Sequence, residues 1–317
     1  MKTNKYMIFI ARRLWFQFWI KLMDGFAPSD AKGNYKRPTG FMNESHSANN
    51  TINKKKFFLL VGLTCPWCHR LIISYKLLHL QDKINLIFLS PKYDTGEWIF
   101  AKKFFNNQNL KDVYNQCGRS KTFRETVPTL VNYDDGEMEL ISNESRDILK
   151  ILNLINQNSS MKNNPIKNCN EKLLRLINDD INNGVYMCGF ARNQNAYKKA
   201  SKKLFAALNK VEKLFEENGG PWLLGKELSM ADVYLFPTII RWELIYSKLF
   251  KCTAKDINLF KNIIRWRYKF YNLKGIPETC SDKAWLRDYY QAIFPLNPNQ
   301  IIPLHTPLKD MINLQRF

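Results

Sequence analysis

The sequence predicts a chain of two parts, an α/β domain followed by an all-helical one, and three observations carry that expectation. The apolar run Phe57 to Gly62 leads at once into Thr64-Cys65-Pro66, which reads as a strand followed by the mouth of a helix. A hairpin signal, Asp134-Asp135-Gly136, lies between the strand-like stretches Thr126 to Val131 and Met138 to Ile141. After a polar segment with Pro165 inside it, Asn156 to Asn170, the apolar period becomes helical. The expected divisions are an arm and lead-in over 1–55, an α/β domain over 56–156 and a helical domain over 157–317. A length of 317 residues is enough for two separate cores.

Element by element, Tyr6 to Ile20 is apolar and aromatic but interrupted by Arg12 and Arg13, too short and too charged to cross a membrane. It is expected to pack on the body, with an interfacial membrane helix as the alternative. Ala27 to Asn53, rich in Pro, Gly, Ser and Asn, reads as irregular. Phe57 to Gly62 suits a strand buried on both faces. Pro66 sits where the first turn of a helix tolerates it, and Leu71, Ile72, Tyr75 and Leu78 keep helical spacing. Ile84 to Leu89 then completes a β-α-β unit with parallel strands. A helix is expected from about Asn143 to Leu154. Further helical patterns run near 171–182, through Ala200, Leu204, Leu208, Val211 and Phe215, and over 229–248 and 256–271. Ser229-Met230-Ala231-Asp232 has capping-box spacing before the third of these.

Composition narrows the class. Hydrophobic content of 45% and aromatic content of 14% exclude a disordered chain. A formal charge of +20 would suit nucleic acid, an anionic membrane or small acidic substrates, yet the basic residues are scattered, with only short clusters such as Lys54-Lys55-Lys56. A solvated basic surface without specific nucleic-acid binding is the plainer expectation. Seven cysteines without a regular framework point to a reducing compartment, the cytoplasm. No G-x-G-x-x-G or P-loop pattern is present, so no nucleotide or flavin is expected.

Cys65-Pro66-Trp67-Cys68-His69-Arg70 is the candidate reactive segment. A cysteine at a helix N-terminus meets unpaired N–H groups and the positive end of the helix dipole, both of which favour the thiolate. Cys68 lies one turn inward, and Arg70 is expected to add positive charge nearby. A C-x-x-C pair can also be half of a zinc site or merely structural. Four histidines with no second pair argue against the metal, and the preceding strand with the Pro-Trp insertion favours a redox role. An anionic tripeptide such as glutathione would need backbone to pair with and helix-terminal N–H groups for its carboxylate. Thr126-Val127-Pro128 could offer the first, through a cis proline that frees the Val127 backbone. Ser142-Asn143-Glu144-Ser145 could offer the second, with Ser145 for the carboxylate and Glu144 for the ammonium group. Each segment is equally readable as an ordinary strand start and an ordinary cap.

With these residues in place, the chain resembles the glutathione transferase superfamily, and within it the Xi class, the glutathionyl-hydroquinone reductases. The likeness runs from about Phe57 to Pro303. It includes Cys65-Pro66-Trp67, Gly96-Glu97-Trp98, Arg124-Glu125-Thr126-Val127-Pro128, Asn143-Glu144-Ser145, Trp222-Leu223-Leu224-Gly225 and Ser229-Met230-Ala231-Asp232. The more specific parts are Asn182-Asn183-Gly184-Val185-Tyr186 and the tail Asn297-Pro298-Asn299-Gln300-Ile301-Ile302-Pro303.

The resemblance implies a glutathione transferase fold, thioredoxin-like first and all-α second, a homodimer, glutathione as co-substrate and no metal. It also implies reductive deglutathionylation of quinone-derived small molecules, with Cys65 as nucleophile and Tyr186 as proton donor. By the same carry-over Trp67, Trp98, Arg124, Glu125, Thr126, Val127, Glu144 and Ser145 would surround glutathione, and Tyr246 with one of Tyr289 or Tyr290 would line the acceptor pocket. Cys68 departs from the small residue usual in that family. It leaves open a glutaredoxin-like thiol transferase or dehydroascorbate reductase that uses Cys68 to resolve the mixed disulfide. A non-catalytic module that binds polyanions through the basic surface is the third reading.

Overall fold

The computed structural model describes residues 5–38, 56–119, 124–157 and 165–315. Lys54, Lys55, most of the irregular lead-in after Pro38 and the middle of the expected linker fall outside the described residues. The first element, α1 (Lys5–Phe26), corrects the expectation for the amino-terminal arm. It is one long helix, and only Met23 is buried along it. Ile8, Phe9, Leu14 and Trp15 are all more than half exposed, so the arm packs on the body only through its last turns.

The sheet forms as the apolar runs require. β1 (Lys56–Gly62), α2 (Pro66–Leu77) and β2 (Ile84–Pro91) make the expected sequence of strand, helix and parallel strand, with Leu59 opposite Leu86. Two short elements without a clear sequence signal follow, β3 (Trp98–Phe104) and β4 (Asn107–Asn109), and then α3 (Leu110–Gln116). β5 (Thr129–Asp134) and β6 (Glu137–Ser142) pair through Asp135-Gly136. Both turn residues have positive φ, 48° and 89°, as the tight hairpin demands. The strand order β4-β3-β2-β1-β5-β6 puts β1 inside the sheet, which is why Leu59, Leu60 and Val61 are fully buried. α4 (Ser145–Gln157) closes the domain, starting two residues later than the sequence suggests.

The helical domain begins with α5 (Glu171–Arg175), a π-helical stretch Leu176–Asn182, and α6 (Asn183–Gly189) in one continuous rod. The Asn183 N–H donates to Asn178 O, five residues back. The rod therefore runs a full turn or more beyond the expected helix. α7 (Gln194–Asn218) carries the long apolar stripe, and its chain ends on Gly219 at φ 57°. In α8 (Met230–Ile239) the capping box forms: the Asp232 carboxylate accepts from Ser229 N at 2.8 Å, Leu223 N at 2.9 Å and Trp266 Nε1 at 2.8 Å. α9 (Lys261–Tyr271), α10 (Asp282–Ala292) and α11 (Leu308–Asn313) complete the chain.

The two domains are joined behind α2 by a buried cation. Arg241 donates to His69 Nδ1 at 2.8 Å, to Pro237 O at 2.8 Å and to Leu63 O at 3.3 Å, and lies 3.9 Å over the Trp285 ring. Burial, and then the Arg241 charge, push the His69 pKa well down, so the imidazole is neutral and acts as acceptor.

Candidate active site

β1 delivers the chain to the site at Gly62. A Cβ there would lie 2.3 Å from the Trp98 ring, so only glycine lets that indole cross the strand end. The Cys65 N–H donates to Gly62 O at 3.1 Å, and Cys65 caps α2 with extended backbone while Pro66 occupies the first helical position. The Cys65 thiol donates to Val127 O at 3.6 Å, next to the cis bond between Val127 and Pro128. Cys68 is fully buried one turn in, with its sulfur accepting from Gly62 N at 3.4 Å.

These contacts decide the sulfur chemistry. Burial by itself pushes the Cys65 thiol up. The Cys68 thiol, the N–H groups of Cys68 and Trp67 and the Arg37 guanidinium together outweigh it and bring the pKa down to about 7. Cys68 goes the other way, held well above the usual thiol range by burial and by the Cys65 sulfur beside it. Near neutral pH Cys65 is thus about half thiolate, supported by the Cys68 thiol.

Cys65 opens onto a cavity of about 320 Å³, at the lower end of the size usual for small-ligand sites. One group of lining residues is polar and comes from the sheet side: Trp98, Arg124, Thr126, Val127, Asn143, Glu144 and Ser145. There Glu144 caps the mouth of α4: its N–H donates to Ser142 Oγ at 3.1 Å, and its Oε1 accepts from the Ser145 hydroxyl and from Arg146 N, both at 3.3 Å. Trp67 Nε1, inside the same cavity, is buried with no hydrogen-bond partner among the described residues, a donor left for an occupant.

The other group is aromatic and comes from far along the chain. Tyr186 lies 5.2 Å from the Trp67 ring, and Phe190 meets Tyr35 at 5.1 Å and Phe26 at 5.7 Å. The hydroxyls of Tyr186 and Tyr289 are 2.6 Å apart, and that of Tyr246 is 3.2 Å from Tyr289. Burial first, and then the neighbouring phenols, hold Tyr186 well above the ordinary tyrosine range. It keeps its proton and can give it only where negative charge develops beside it.

Most of the residues singled out in the sequence therefore meet around one space; Cys68 sits behind Cys65, and four others lie outside the lining. Tyr290 turns away from the cavity: it is buried, and its hydroxyl donates to Leu244 O at 3.1 Å. That settles the register of α10 in favour of Tyr289. Tyr246 stands behind Tyr289, fully buried, and does not line the cavity. Glu125 lies outside the lining as well. Arg70 is not in the lining either: its side chain is buried 4.1 Å over the Tyr234 ring, and its charge reaches Cys65 from there.

A second cation lines the site beside Arg124: Arg37, which lies 3.8 Å over Trp67 and donates to Asn183 Oδ1 at 3.0 Å. The sequence reading passed over it because it stands in a stretch with no periodicity. The cue available was the Tyr35-Lys36-Arg37-Pro38 doublet of aromatic and base. Asp288 was missed too. It is a buried carboxylate in the lining that accepts from Tyr93 at 2.8 Å and from the Thr64 hydroxyl, just before Cys65. Among the described residues no group of three His, Cys, Asp or Glu is placed to hold a metal.

Comparison with known proteins agrees with this geometry. Residues 64–154 match the family model for the glutathione S-transferase N-terminal domain, and residues 194–273 that for the C-terminal domain. A relative from Escherichia coli, the glutathionyl-hydroquinone reductase YqjG, is 29% identical over 79% of this chain and 79% of its own. Its glutathione-bound structure superposes with a TM-score of 0.71, at 28% identity over 80% of this chain and 86% of that one. The glutathione transferase Xi from Phanerochaete chrysosporium gives a TM-score of 0.76 at 28% identity, covering 88% of this chain and 94% of that one. A relative from Schizosaccharomyces pombe named glutathione S-transferase omega-like 2 is 28% identical over 87% of this chain and 94% of its own.

Proposed function

Because the chain belongs to the glutathione S-transferase family, with both of its domains matched, we propose that it is the enzyme of that family which removes glutathione from glutathionyl-hydroquinones. The observation that carries this reading is a low-pKa cysteine facing a protonated phenol across one cavity. The Cys65 thiolate attacks the glutathione sulfur; an S–S bond forms as the aryl C–S bond breaks. The electron pair left on the ring carbon takes a proton from Tyr186, which recovers one through Tyr289, and hydroquinone departs. A second glutathione thiolate then attacks the mixed disulfide, releasing oxidised glutathione and the Cys65 thiolate.

Glutathione fits the polar lining. Its γ-glutamyl carboxylate would sit at the mouth of α4 by Ser145, its ammonium group at Glu144, and its backbone along Val127, with Arg124 and Trp98 around it. The YqjG structure is a glutathione complex, which supports glutathione as the co-substrate. A homodimer and a cytoplasmic location belong to the same reading, and sedimentation of the pure protein tests the first.

Cys68 favours a second reading, a glutaredoxin-like thiol transferase, because its thiol bonds directly to the Cys65 sulfur. The deciding assay follows hydroquinone release from a glutathionyl-hydroquinone with excess glutathione. Loss in Cys65→Ser, retention in Cys68→Ser and a slowing of roughly 10²-fold or more in Tyr186→Phe support the reductase. Reduction of a glutathione disulfide with no hydroquinone release would replace it with the transferase.

A further inference from the structure

We propose that α1 is a peripheral anchor that lies in the headgroup layer of an anionic lipid membrane. The last turns of the helix are fastened to the body. Near that end Trp19 Nε1 donates to Pro295 O at 2.9 Å, Met23 is buried, and Arg192 donates to Ala27 O at 2.7 Å and to Asp24 at 3.2 Å. The turns before it carry Ile8, Phe9, Leu14, Trp15, Phe16 and Phe18, each more than half exposed. A cluster of large apolar side chains of this kind is rare on a surface that faces water alone. Exposed Phe294 flanks the Pro295 anchor point.

Charge decides what covers it. Lys5, Arg12, Arg13 and Lys21 stand among the rings of α1, against a single acid, Asp24. A second copy pairing α1 against α1 would have to bury Arg12 and Arg13 with no acid on that helix but Asp24, which already pairs with Arg192, at a cost. A lipid surface imposes no such cost: the rings sink to the acyl boundary while the basic side chains reach out to phosphate oxygens. No helix among the described residues is long and apolar enough to cross a membrane, so the contact is on the surface. The formal charge of the whole chain, +20, adds attraction to the same lipids. Since α1 ends in Phe26, a lining residue of the cavity, membrane binding would bring the cavity mouth close to the lipid.

The experiment is flotation of the full chain with vesicles of two parts phosphatidylcholine to one part phosphatidylserine, and with phosphatidylcholine alone. Binding is read without substrate, so it succeeds or fails independently of the proposed reaction. The wild type is expected to float with the anionic vesicles and to release as salt rises. Phe9→Glu with Trp15→Glu, both at exposed positions, should weaken partitioning on the order of tenfold or more, and Arg12→Gln with Arg13→Gln should reduce both binding and its salt dependence. A wild type that stays unbound at low salt, or binds both vesicle types equally, would overturn the proposal. So would an oligomer that the Phe9 and Trp15 changes dissolve, since a second copy would then be what covers the helix.

Discussion

Cys65 and Cys280 are both half-buried thiols beside the same pair of domains, and they lie at opposite ends of the thiol scale. Cys65 is drawn down to about 7, whereas burial pushes Cys280 up to about 12. Partial burial is common to the two, so it cannot be what activates one. What differs is the company of each sulfur. At the mouth of α2 the Cys68 thiol and the N–H groups of Cys68 and Trp67, with Arg37 behind them, outweigh burial; around Cys280 burial outweighs the Thr279 hydroxyl and the Arg241 guanidinium, and Asp282 and Glu278 add to the rise. A guanidinium stands near both sulfurs, so the donors of the helix N-terminus and the neighbouring thiol are what set the nucleophile apart.

The largest test of that contrast is loss of turnover. Cys65→Ser should abolish hydroquinone release, and Cys280→Ser should leave it within about twofold of the wild type. Alkylation read by mass spectrometry sharpens it: iodoacetamide should label Cys65 with a half-maximum near the pKa of about 7, faster as pH rises because the thiolate fraction grows. Cys280 should stay unlabelled through neutral pH, and equal labelling of both would break the comparison. Arg37→Ala should move the Cys65 profile to higher pH, since a stabilising charge and a ring contact with Trp67 are lost. The smallest effect is expected from Glu278→Gln, a modest downward shift at Cys280 seen only at alkaline pH.

How much of this could be read from the sequence follows the same division. The α2 mouth was legible because strand, turn, cysteine and proline are consecutive and each has a local conformational reason. The hairpin at Asp135-Gly136 and the capping box at Ser229 are of that kind too. Arg37 was not legible, since its role comes from lying on Trp67, thirty positions away, in a segment with no period. Nor was the choice between Tyr289 and Tyr290 open to pattern reading. Both are large, amphipathic and about a hundred degrees apart on α10, and only packing against Leu244 assigns one of them to the interior. The same holds for α1, whose exposed rings violate the rule by which its burial was expected.

The π-helical stretch Leu176–Asn182 has a consequence of its own. Holding one residue more than an α-helical path would, it turns everything downstream by about 100° around the rod's axis. Asn183, which receives Arg37, and Tyr186, which faces Trp67, both lie just past it. The phenol's position is therefore written into a surplus of chain length and not only into the identity of residue 186. A one-residue deletion in that stretch would turn the Tyr186 phenol out of the cavity while leaving residue 186 a tyrosine.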